Sequence, residues 1–391
     1  MNILFLCYNS YKIMSKPVFL LFICFLLVFN SNILNASPIP KAPELDVESY
    51  AVMDYDSGSI IISKNPTVKL PPASITKIMT SYIAFLELKD KSLNIDDNLL
   101  VSKKAWKTEG SKMFIEVGKK VSIRDILQGI VISSGNDASV AIAEHISGNE
   151  ETFALYMNQI AESLGMKNTN YVNSNGLPDN DQYTTAEDIA LLSRALIKNF
   201  PIDYKLYSQK QYVYNEIKQY SRNKLLYIDD RVDGIKTGYT KRAGYCLAAS
   251  SKRGNRRLIT VVLGAKTPGY RVDASKALLN YGFRFYETHK LFRKDAVVSE
   301  SRIYNGEKKM IKLTVEDDFF ISLPRRQLKN IRKQIVVDTN LVAPMKKNTA
   351  IGYILIKLDG KVISKTKLIA SEDVSEGNIY RKTIDSVIQA F

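Results

Sequence analysis

The order of strand and helix patterns along the chain is the strongest constraint on its fold. Two strand patterns, at 49–54 and 59–63, flank the turn Asp56-Ser-Gly58, which predicts a β-hairpin in the N-terminal part. Further strand patterns return only much later, at 234–239, 245–250 and 258–263. Helical patterns occupy the interval, at 127–132, 138–146, 151–164 and 185–198. Strands on both sides of a helical segment predict one antiparallel sheet built from both ends and covered by helices.

The sequence after about residue 288 predicts a second, smaller unit made of strands. Its short apolar runs partly alternate and lie at 310–315, 319–323 and 334–337. A hairpin is indicated where the patterns at 353–358 and 361–369 flank the turn dipeptide Asp359-Gly360. The predicted fold class is therefore an α+β domain, an antiparallel sheet covered by helices, followed by a small all-β domain.

The last residues of the chain predict a short amphipathic helix over 378–391. Apolar side chains recur there with helical spacing, at Tyr380, Ile384, Val387, Ile388 and Phe391. Such a helix either docks on its own protein or lies on a membrane surface, and we expect membrane association.

The N-terminus has the features of a secretory signal peptide. Lys12 and Lys16 precede an apolar run at 18–29, and Ala36 offers a small residue for cleavage. The alternative is an uncleaved membrane anchor, but an apolar run of about 12 residues is short for a bilayer span. We therefore expect a signal peptide at 1–36, a main domain at 37–287, a β domain at 288–377 and the amphipathic helix at 378–391.

The chain is strongly basic, with 55 lysines and arginines against 40 acidic residues and a formal net charge of +15. A basic surface suits nucleic acid, anionic lipid or an anionic polymer. Because the leader indicates export, we expect no nucleic acid partner. The histidines, His145 and His289, have no metal-ligand spacing, and we find no cofactor motif, so neither a metal nor a cofactor is predicted.

Three short motifs in a fixed order carry the chemistry: Ser74-Ile-Thr-Lys77, Ser134-Gly-Asn136 and Lys236-Thr-Gly238. Prolines just before the first motif indicate a helix start, where Ser-x-x-Lys places a hydroxyl and an amine about one turn apart on one face. Such a pair can act as nucleophile and base without a histidine. Each motif alone is a weak signal, but their order and spacing indicate a serine acyl-transferase.

Longer stretches around these motifs resemble the D-alanyl-D-alanine carboxypeptidases, which are low-molecular-mass penicillin-binding proteins. The stretches are Pro72-Ala-Ser-Ile-Thr-Lys-Ile-Met-Thr80, Ser133-Ser-Gly-Asn-Asp-Ala138, Asp233-Gly-Ile-Lys-Thr-Gly238, Asn175-Gly-Leu177, Gln182-Tyr-Thr184, Ala243-Gly-Tyr245 and Phe283-Arg-Phe-Tyr-Glu287. The resemblance runs from about Glu48 to the C-terminus and weakens after about residue 290.

The resemblance implies a serine carboxypeptidase that removes the terminal D-alanine from peptidoglycan stem peptides through an acyl-enzyme on Ser74. β-Lactams such as penicillin would be covalent inhibitors. Residues 37–287 would be the D,D-peptidase catalytic domain. The protein would be periplasmic, attached peripherally to the outer face of the cytoplasmic membrane through its C-terminal helix.

The resemblance also assigns catalytic roles. Ser74 would be the nucleophile, Lys77 its base, and Ser134 a relay that passes the proton to the leaving amine. Asn136 would hold the substrate amide. Lys236 would be a second cation near Lys77, which favours a neutral Lys77 amine.

Substrate binding is expected along the third motif, Lys236, Thr237 and Gly238. Together with Arg271, the lysine and the threonine would hold the terminal carboxylate, for which arginine offers a bidentate fork. The backbone N–H of Tyr239 would join that of the nucleophile in an oxyanion hole. Tyr239 stands where some family members carry histidine, so fine specificity and the pH profile are open.

Two other functions stay open from the sequence. One is a D,D-endopeptidase that cuts cross-links, although such relatives often lack the β domain. The other is a penicillin-acylated sensor or scaffold without turnover, although sensors of that kind usually have membrane-spanning segments. A β-lactamase is disfavoured because no Glu-x-x-Leu-Asn segment lies between Ser134 and Lys236.

Overall fold

The structure, a computed structural model, describes residues 40–338 and 340–389. The predicted signal peptide and Phe391 lie outside the described residues. The strands are β1 Ser49–Asp54, β2 Ile60–Lys64, β3 Asn98–Leu100, β4 Lys120–Ser122, β5 Gln211–Tyr214, β6 Ile217–Tyr220, β7 Val232–Thr240, β8 Gly244–Arg253, β9 Arg256–Ala265, β10 Tyr286–Phe292, β11 Ser299–Arg302, β12 Met310–Thr314, β13 Phe319–Pro324, β14 Ile331–Val337, β15 Ala350–Leu358 and β16 Lys361–Ala370. The α-helices are α1 Lys77–Lys89, α2 Lys103–Lys107, α3 Ile123–Gln128, α4 Asn136–Ser147, α5 Glu150–Ser163, α6 Ala186–Asn199, α7 Leu225–Ile228, α8 Pro268–Phe285 and α9 Ile379–Gln389.

Five strands from both ends of the main domain form one antiparallel sheet, in the order β2-β1-β9-β8-β7. The N-terminal hairpin joins the later strands through pairs such as Tyr50 with Val262. This arrangement is the one that the strand and helix order predicted. Helices α6 and α8 both pack on β9, in the middle of the sheet. β7 is the last strand of the sheet, so one of its backbone edges is free to face the residues around Ser74.

Helix α1 runs through the core of the main domain. Every residue from Lys77 to Phe85 is buried, and the helix contacts α4, α5 and α6. A helix that is buried on all sides has apolar side chains all round. Lys77, Thr80 and Ser81 are the polar exceptions. The two hydroxyls donate to backbone carbonyl oxygens, whereas a buried amine is costly unless it is hydrogen-bonded or neutral. The fold therefore places a chemically unusual lysine at the start of its central helix.

The helix before the second motif differs from the sequence prediction, which extended it through 127–132. Helix α3 ends at Gln128 and continues as a single π-helical turn, Gly129–Ser133. The next residue, Ser134, has the left-handed φ of 63°. π-Turns insert one extra residue into a helix and are frequent at functional sites. Apolar periodicity does not distinguish them from ordinary helix, so the sequence did not reveal this one.

The β domain contains a five-stranded sheet in the order β11-β12-β16-β15-β14, and β10 pairs with β13 beside it. Ile311, Leu313, Ile354 and Leu368 are fully buried in its own core. Strands β10 and β11 were not predicted from the sequence. β10 follows directly on α8, and the backbone N–H of Arg325 donates to a carbonyl at the end of that helix, so the two domains are joined by backbone contacts.

Candidate active site

The nucleophile turn, Ala73–Thr76, is a 3₁₀ turn directly before α1. Ala73 has the left-handed φ of 48°, a conformation that residues with a side chain rarely adopt. Gly176 packs against this turn so closely that a Cβ there would stand 1.9 Å from the Ala73 carbonyl oxygen. The turn is therefore held in place from outside, and it puts Ser74 Oγ 3.1 Å from Lys77 Nζ.

Lys77 has the environment that a lysine base requires. Its side chain is fully buried, and its Nζ lies 2.6 Å from Asn136 Oδ1 and 2.5 Å from the Asn175 carbonyl oxygen. Burial, assisted by the charge of Arg222, lowers the pKa of Lys77 to about 7. Both oxygens are acceptors only. A neutral amine therefore donates its two hydrogens to them and directs its lone pair at Ser74 Oγ.

Ser134 and Lys236 form a second polar pair in the same place. Lys236 Nζ donates to Ser134 Oγ over 2.8 Å and to the Thr237 carbonyl oxygen over 3.1 Å. Burial and the neighbouring charge of Lys77 lower the pKa of Lys236 well below that of an exposed lysine. Two cations so close together are unfavourable, so each amine favours the neutral form of the other.

Asn136 is held in a single orientation by groups on both sides. Its Oδ1 accepts from Lys77, while its Nδ2 donates to the Glu109 carbonyl oxygen over 2.6 Å. The adjacent carboxylate of Asp137 accepts from the backbone N–H groups of Met113 and Phe114, at 2.9 Å each. This carboxylate therefore fixes the loop that borders Asn136, a role that the sequence analysis did not assign.

The third motif brings the free edge of β7 against the nucleophile turn. A Cβ at Gly238 would stand 3.1 Å from both Ala73 Cβ and the Pro72 carbonyl oxygen. Only a glycine fits there without moving the strand or the turn. Thr237, the residue before it, is buried and lines the same cavity as Ser74.

Arg271 reaches this cavity from α8. Its Nη1 donates to the carbonyl oxygens of Gly238 at 3.1 Å and Cys246 at 3.3 Å, and its guanidinium lies over the Tyr245 ring. The ring of Tyr239 is half exposed and stacks on Tyr245 with 4.3 Å between centroids. Arg271 thus supports two strand carbonyls through Nη1, while its Nε has no hydrogen-bond partner among the described residues.

The predicted site residues surround one cavity of about 480 Å³. Those that line it are Ser74, Ser134, Asn136, Thr237, Gly238, Tyr239 and Arg271. Lys77 and Lys236 are buried behind its wall and reach it through their hydrogen bonds to the two serines. The structure therefore brings all nine predicted residues together from separate parts of the chain.

The cavity also includes residues that the sequence analysis did not assign to the site. Arg222 follows the β5–β6 hairpin, lines the cavity and donates through Nη1 to Ser111 Oγ over 2.6 Å. No motif surrounds it, and neither strand of that hairpin was predicted. Asn175 belongs to a stretch already noted for its resemblance, and that stretch was the available signal. Its backbone carbonyl, which contacts Lys77, has no sequence signature.

Comparisons with known proteins agree with this geometry. Residues 36–267 match the sequence profile described as D-alanyl-D-alanine carboxypeptidase, and residues 286–376 match that of the penicillin-binding protein 5 C-terminal domain. The chain belongs to the D-alanyl-D-alanine carboxypeptidase family. The family resemblance and the fold class expected from the sequence are thereby confirmed.

Relatives are similar to the chain over most of its length. D-alanyl-D-alanine carboxypeptidase DacC of Escherichia coli K12 is 39% identical over 94% of this chain and 94% of its own. DacA of Haemophilus influenzae is 40% identical over 88% of this chain and 90% of its own. The crystal structure of penicillin-binding protein 5 from Haemophilus influenzae matches with a TM-score of 0.81 and 40% identity, covering 86% of this chain and 99% of that one.

Proposed function

We propose that this protein is a serine D-alanyl-D-alanine carboxypeptidase that removes the terminal D-alanine from peptidoglycan stem peptides and that β-lactams acylate. Family membership supports the reaction class. The observation that carries the residue assignment is the pair of lysine–serine contacts at one cavity, Lys77 with Ser74 and Lys236 with Ser134.

In the proposed acylation step, Ser74 Oγ attacks the carbonyl carbon of the penultimate D-alanine. Its proton passes to the lone pair of Lys77, which the two amide oxygens hold toward Ser74. Ser134 hands a proton to the nitrogen of the leaving D-alanine as the peptide C–N bond breaks, and it takes in return the proton that Lys77 accepted, so that both groups regain their starting state. Water then attacks the ester on Ser74, which releases the shortened peptide and returns the proton to the serine.

The oxyanion that forms in each step needs N–H donors already in place. We assign these donors to the backbone of Ser74 and Tyr239. The assignment is supported by the position of β7, which is the edge strand of the sheet and packs its Gly238 on the nucleophile turn. We assign the substrate carboxylate to Lys236, Thr237 and Arg271. Thr237 and Arg271 line the cavity, Arg271 donates to the Gly238 carbonyl, and Lys236 precedes Thr237 on the same strand.

We also propose that the protein acts outside the cytoplasmic membrane and that α9 holds it on the membrane surface. The described residues contain no helix long and apolar enough to cross a bilayer. The buried side chain on α9 is polar: Asp385 accepts from the backbone N–H of Asn305 and pairs with Arg302. Tyr380 and Val387 are exposed, so the apolar side of the helix is turned outward and available to lipid.

One set of assays tests the catalytic assignment. Wild-type protein should release D-alanine from a peptide ending in Lys-D-Ala-D-Ala and gain the mass of one penicillin. Ser74→Ala should do neither, whereas Ser163→Ala, at the exposed end of α5, should do both. Undiminished labelling of Ser74→Ala would refute the assignment. Cleavage of a cross-linked dimer in preference to D-alanine release would identify an endopeptidase, and labelling without release would identify a sensor.

A further inference from the structure

A second cavity, away from the active site, lies where the main domain meets the β domain. Its volume is about 710 Å³, against about 480 Å³ for the active-site cavity. Its walls come from the β8–β9 hairpin, the end of α8, the start of β10 and Arg325, which follows β13. The cavity therefore has walls from both domains.

Four arginines line this junction cavity, namely Arg253, Arg256, Arg284 and Arg325, and Glu287 is the one carboxylate among its lining residues. Glu287 is already engaged, because it accepts from the backbone N–H of Arg326 at 3.0 Å and pairs with a histidine. Neither Arg284 nor Arg325 forms an ion pair with any described residue. With four arginines and one carboxylate, the side chains that line the cavity carry a positive net charge.

The two inner arginines are oriented by groups that satisfy them only in part. The Arg253 guanidinium stacks on the Phe283 ring at 4.4 Å, donates to Asn280 over 2.7 Å and lies 4.0 Å from the Asp229 carboxylate, but its Nε has no hydrogen-bond partner among the described residues. Arg256 pairs with the buried Asp54 at 3.2 Å and also donates to Thr288 Oγ1 and to the Gly282 and Tyr286 carbonyl oxygens, while its Nη2 has no described partner. Burial and the charge of Arg325 help to lower the pKa of Arg256.

We propose that the junction cavity binds a phosphate group and that the bound group links the two domains. Guanidinium forks match the oxygens of a phosphate, and a single phosphate can accept from several of them at once. The anion would relieve the repulsion among the arginines. Since Arg284 belongs to the main domain and Arg325 to the β domain, a phosphate that accepts from both would link the two domains. This site is independent of the proposed peptidase reaction.

The direct test uses the complete mature protein and inorganic phosphate. Titration calorimetry should show one phosphate bound per protein. At a phosphate concentration well above Kd, Tm should be roughly 3 °C higher than in sodium chloride of equal ionic strength. Arg284→Gln and Arg325→Gln should each weaken binding at least tenfold. Arg332→Gln, on exposed strand β14, is the matched control and should bind as wild type. Release of D-alanine should be unchanged in all three variants, which shows that they fold.

A second arm distinguishes a free ion from a lipid headgroup. Protein lacking residues 378–391 is mixed with vesicles that contain phosphatidylglycerol, so that α9 does not contribute. Vesicle binding that depends on Arg284 and Arg325 would indicate that the site takes a lipid headgroup. Phosphate binding in the absence of vesicle binding would indicate that it takes a free ion. If neither phosphate nor vesicles bind, or if the Arg332→Gln control loses binding as strongly as Arg284→Gln and Arg325→Gln do, the proposed site is wrong.

Discussion

Lys77 shows how one residue acquires a function from its surroundings. In water its amine is protonated at neutral pH and has no lone pair to accept a proton. Here burial and the charge of Arg222 lower its pKa to about 7, although two nearby carboxylates oppose the change. Two fixed acceptors then orient the neutral amine toward Ser74. Burial thus makes the amine neutral near pH 7, and the two acceptors orient its lone pair.

We therefore predict that the rate of penicillin acylation rises about tenfold per pH unit below about 7 and levels off above it, because the neutral amine is the active form. Lys77→Arg should be acylated orders of magnitude more slowly at every pH, since arginine stays protonated. Stopped-flow measurements of the acylation rate between about pH 5 and pH 9, a range that spans the Lys77 pKa, test both the wild-type profile and the variant. A wild-type profile that is flat through pH 7 would mean that another group is the base.

The same pKa has a consequence for stability. Lys77 in the folded protein loses its proton at a lower pH than in the unfolded chain. Between about 7 and the ordinary pKa of lysine, the unfolded chain therefore binds the extra proton. The free energy of unfolding should rise with pH over that window. The rise should be smaller in Lys77→Met, which keeps only the contribution of Lys236, whose pKa is also lowered.

Arg271 is predicted to distinguish acid from amide substrates. If its guanidinium binds the terminal carboxylate, Arg271→Ala should lower kcat/KM for the free-acid peptide by roughly 1.5–3 kcal/mol, the range for a hydrogen bond to a charged group. The amidated peptide lacks that charge and should lose much less. Because Arg271 also supports the Gly238 and Cys246 carbonyls, the amide peptide is the control for a shifted strand. Equal losses on both substrates would make the arginine purely structural.

At the scale of elements, the contact between β7 and the nucleophile turn sets the active-site geometry. Gly238→Ala should push these two elements apart, because the new Cβ has only 3.1 Å to Ala73 Cβ. We expect a loss of about 1–3 kcal/mol in stability from overpacking. Acylation should fall by about 100-fold, the cost of a displacement near 1 Å. Gly269→Ala, where the nearest atom is 4.0 Å away, is the control: it should leave acylation unchanged and should not destabilise the protein, since alanine is favoured over glycine in a helix.

The elements also show what a sequence can predict here. Periodicity located the five strands of the main sheet and the longer helices between them, but not the short helices α2 and α7, since burial of one face imposes the pattern over several turns. It did not reveal the π-turn before Ser134 or the β5–β6 hairpin, which carries Arg222 to the site. The hairpin turn uses Asn215 and Glu216 with positive φ, and glutamate is not a residue that signals such a turn. The site motifs could be predicted because their side chains take part in the chemistry. The contact of Lys77 with Asn175 could not, because it is made by a backbone carbonyl, which every residue type has.

At the scale of the whole molecule, the C-terminal helix has an unusual orientation. The sequence predicted the apolar stripe of α9, but not that a polar side chain would dock the helix. Burial alone would raise the pKa of Asp385, yet the Asn305 N–H and the guanidinium groups of Arg302 and Arg381 outweigh it and lower that pKa. The carboxylate is thus charged when buried, and it holds the helix on the β domain with the apolar side outward.

This orientation predicts that the helix binds lipid as part of a folded β domain. Deleting residues 378–391 should abolish sedimentation with phosphatidylglycerol vesicles in chloride buffer with excess inorganic phosphate, which occupies any phosphate site elsewhere. Val387→Ser with Ile388→Ser should weaken it more than tenfold, because burying each apolar side chain contributes about 1.5–3 kcal/mol. Thr383→Ala is the control, since that hydroxyl donates only to its own helix. Release of D-alanine from a soluble peptide should be the same in all four proteins, because the active site lies in the other domain. Undiminished vesicle binding by the deletion variant would show that a different surface attaches this enzyme to the membrane.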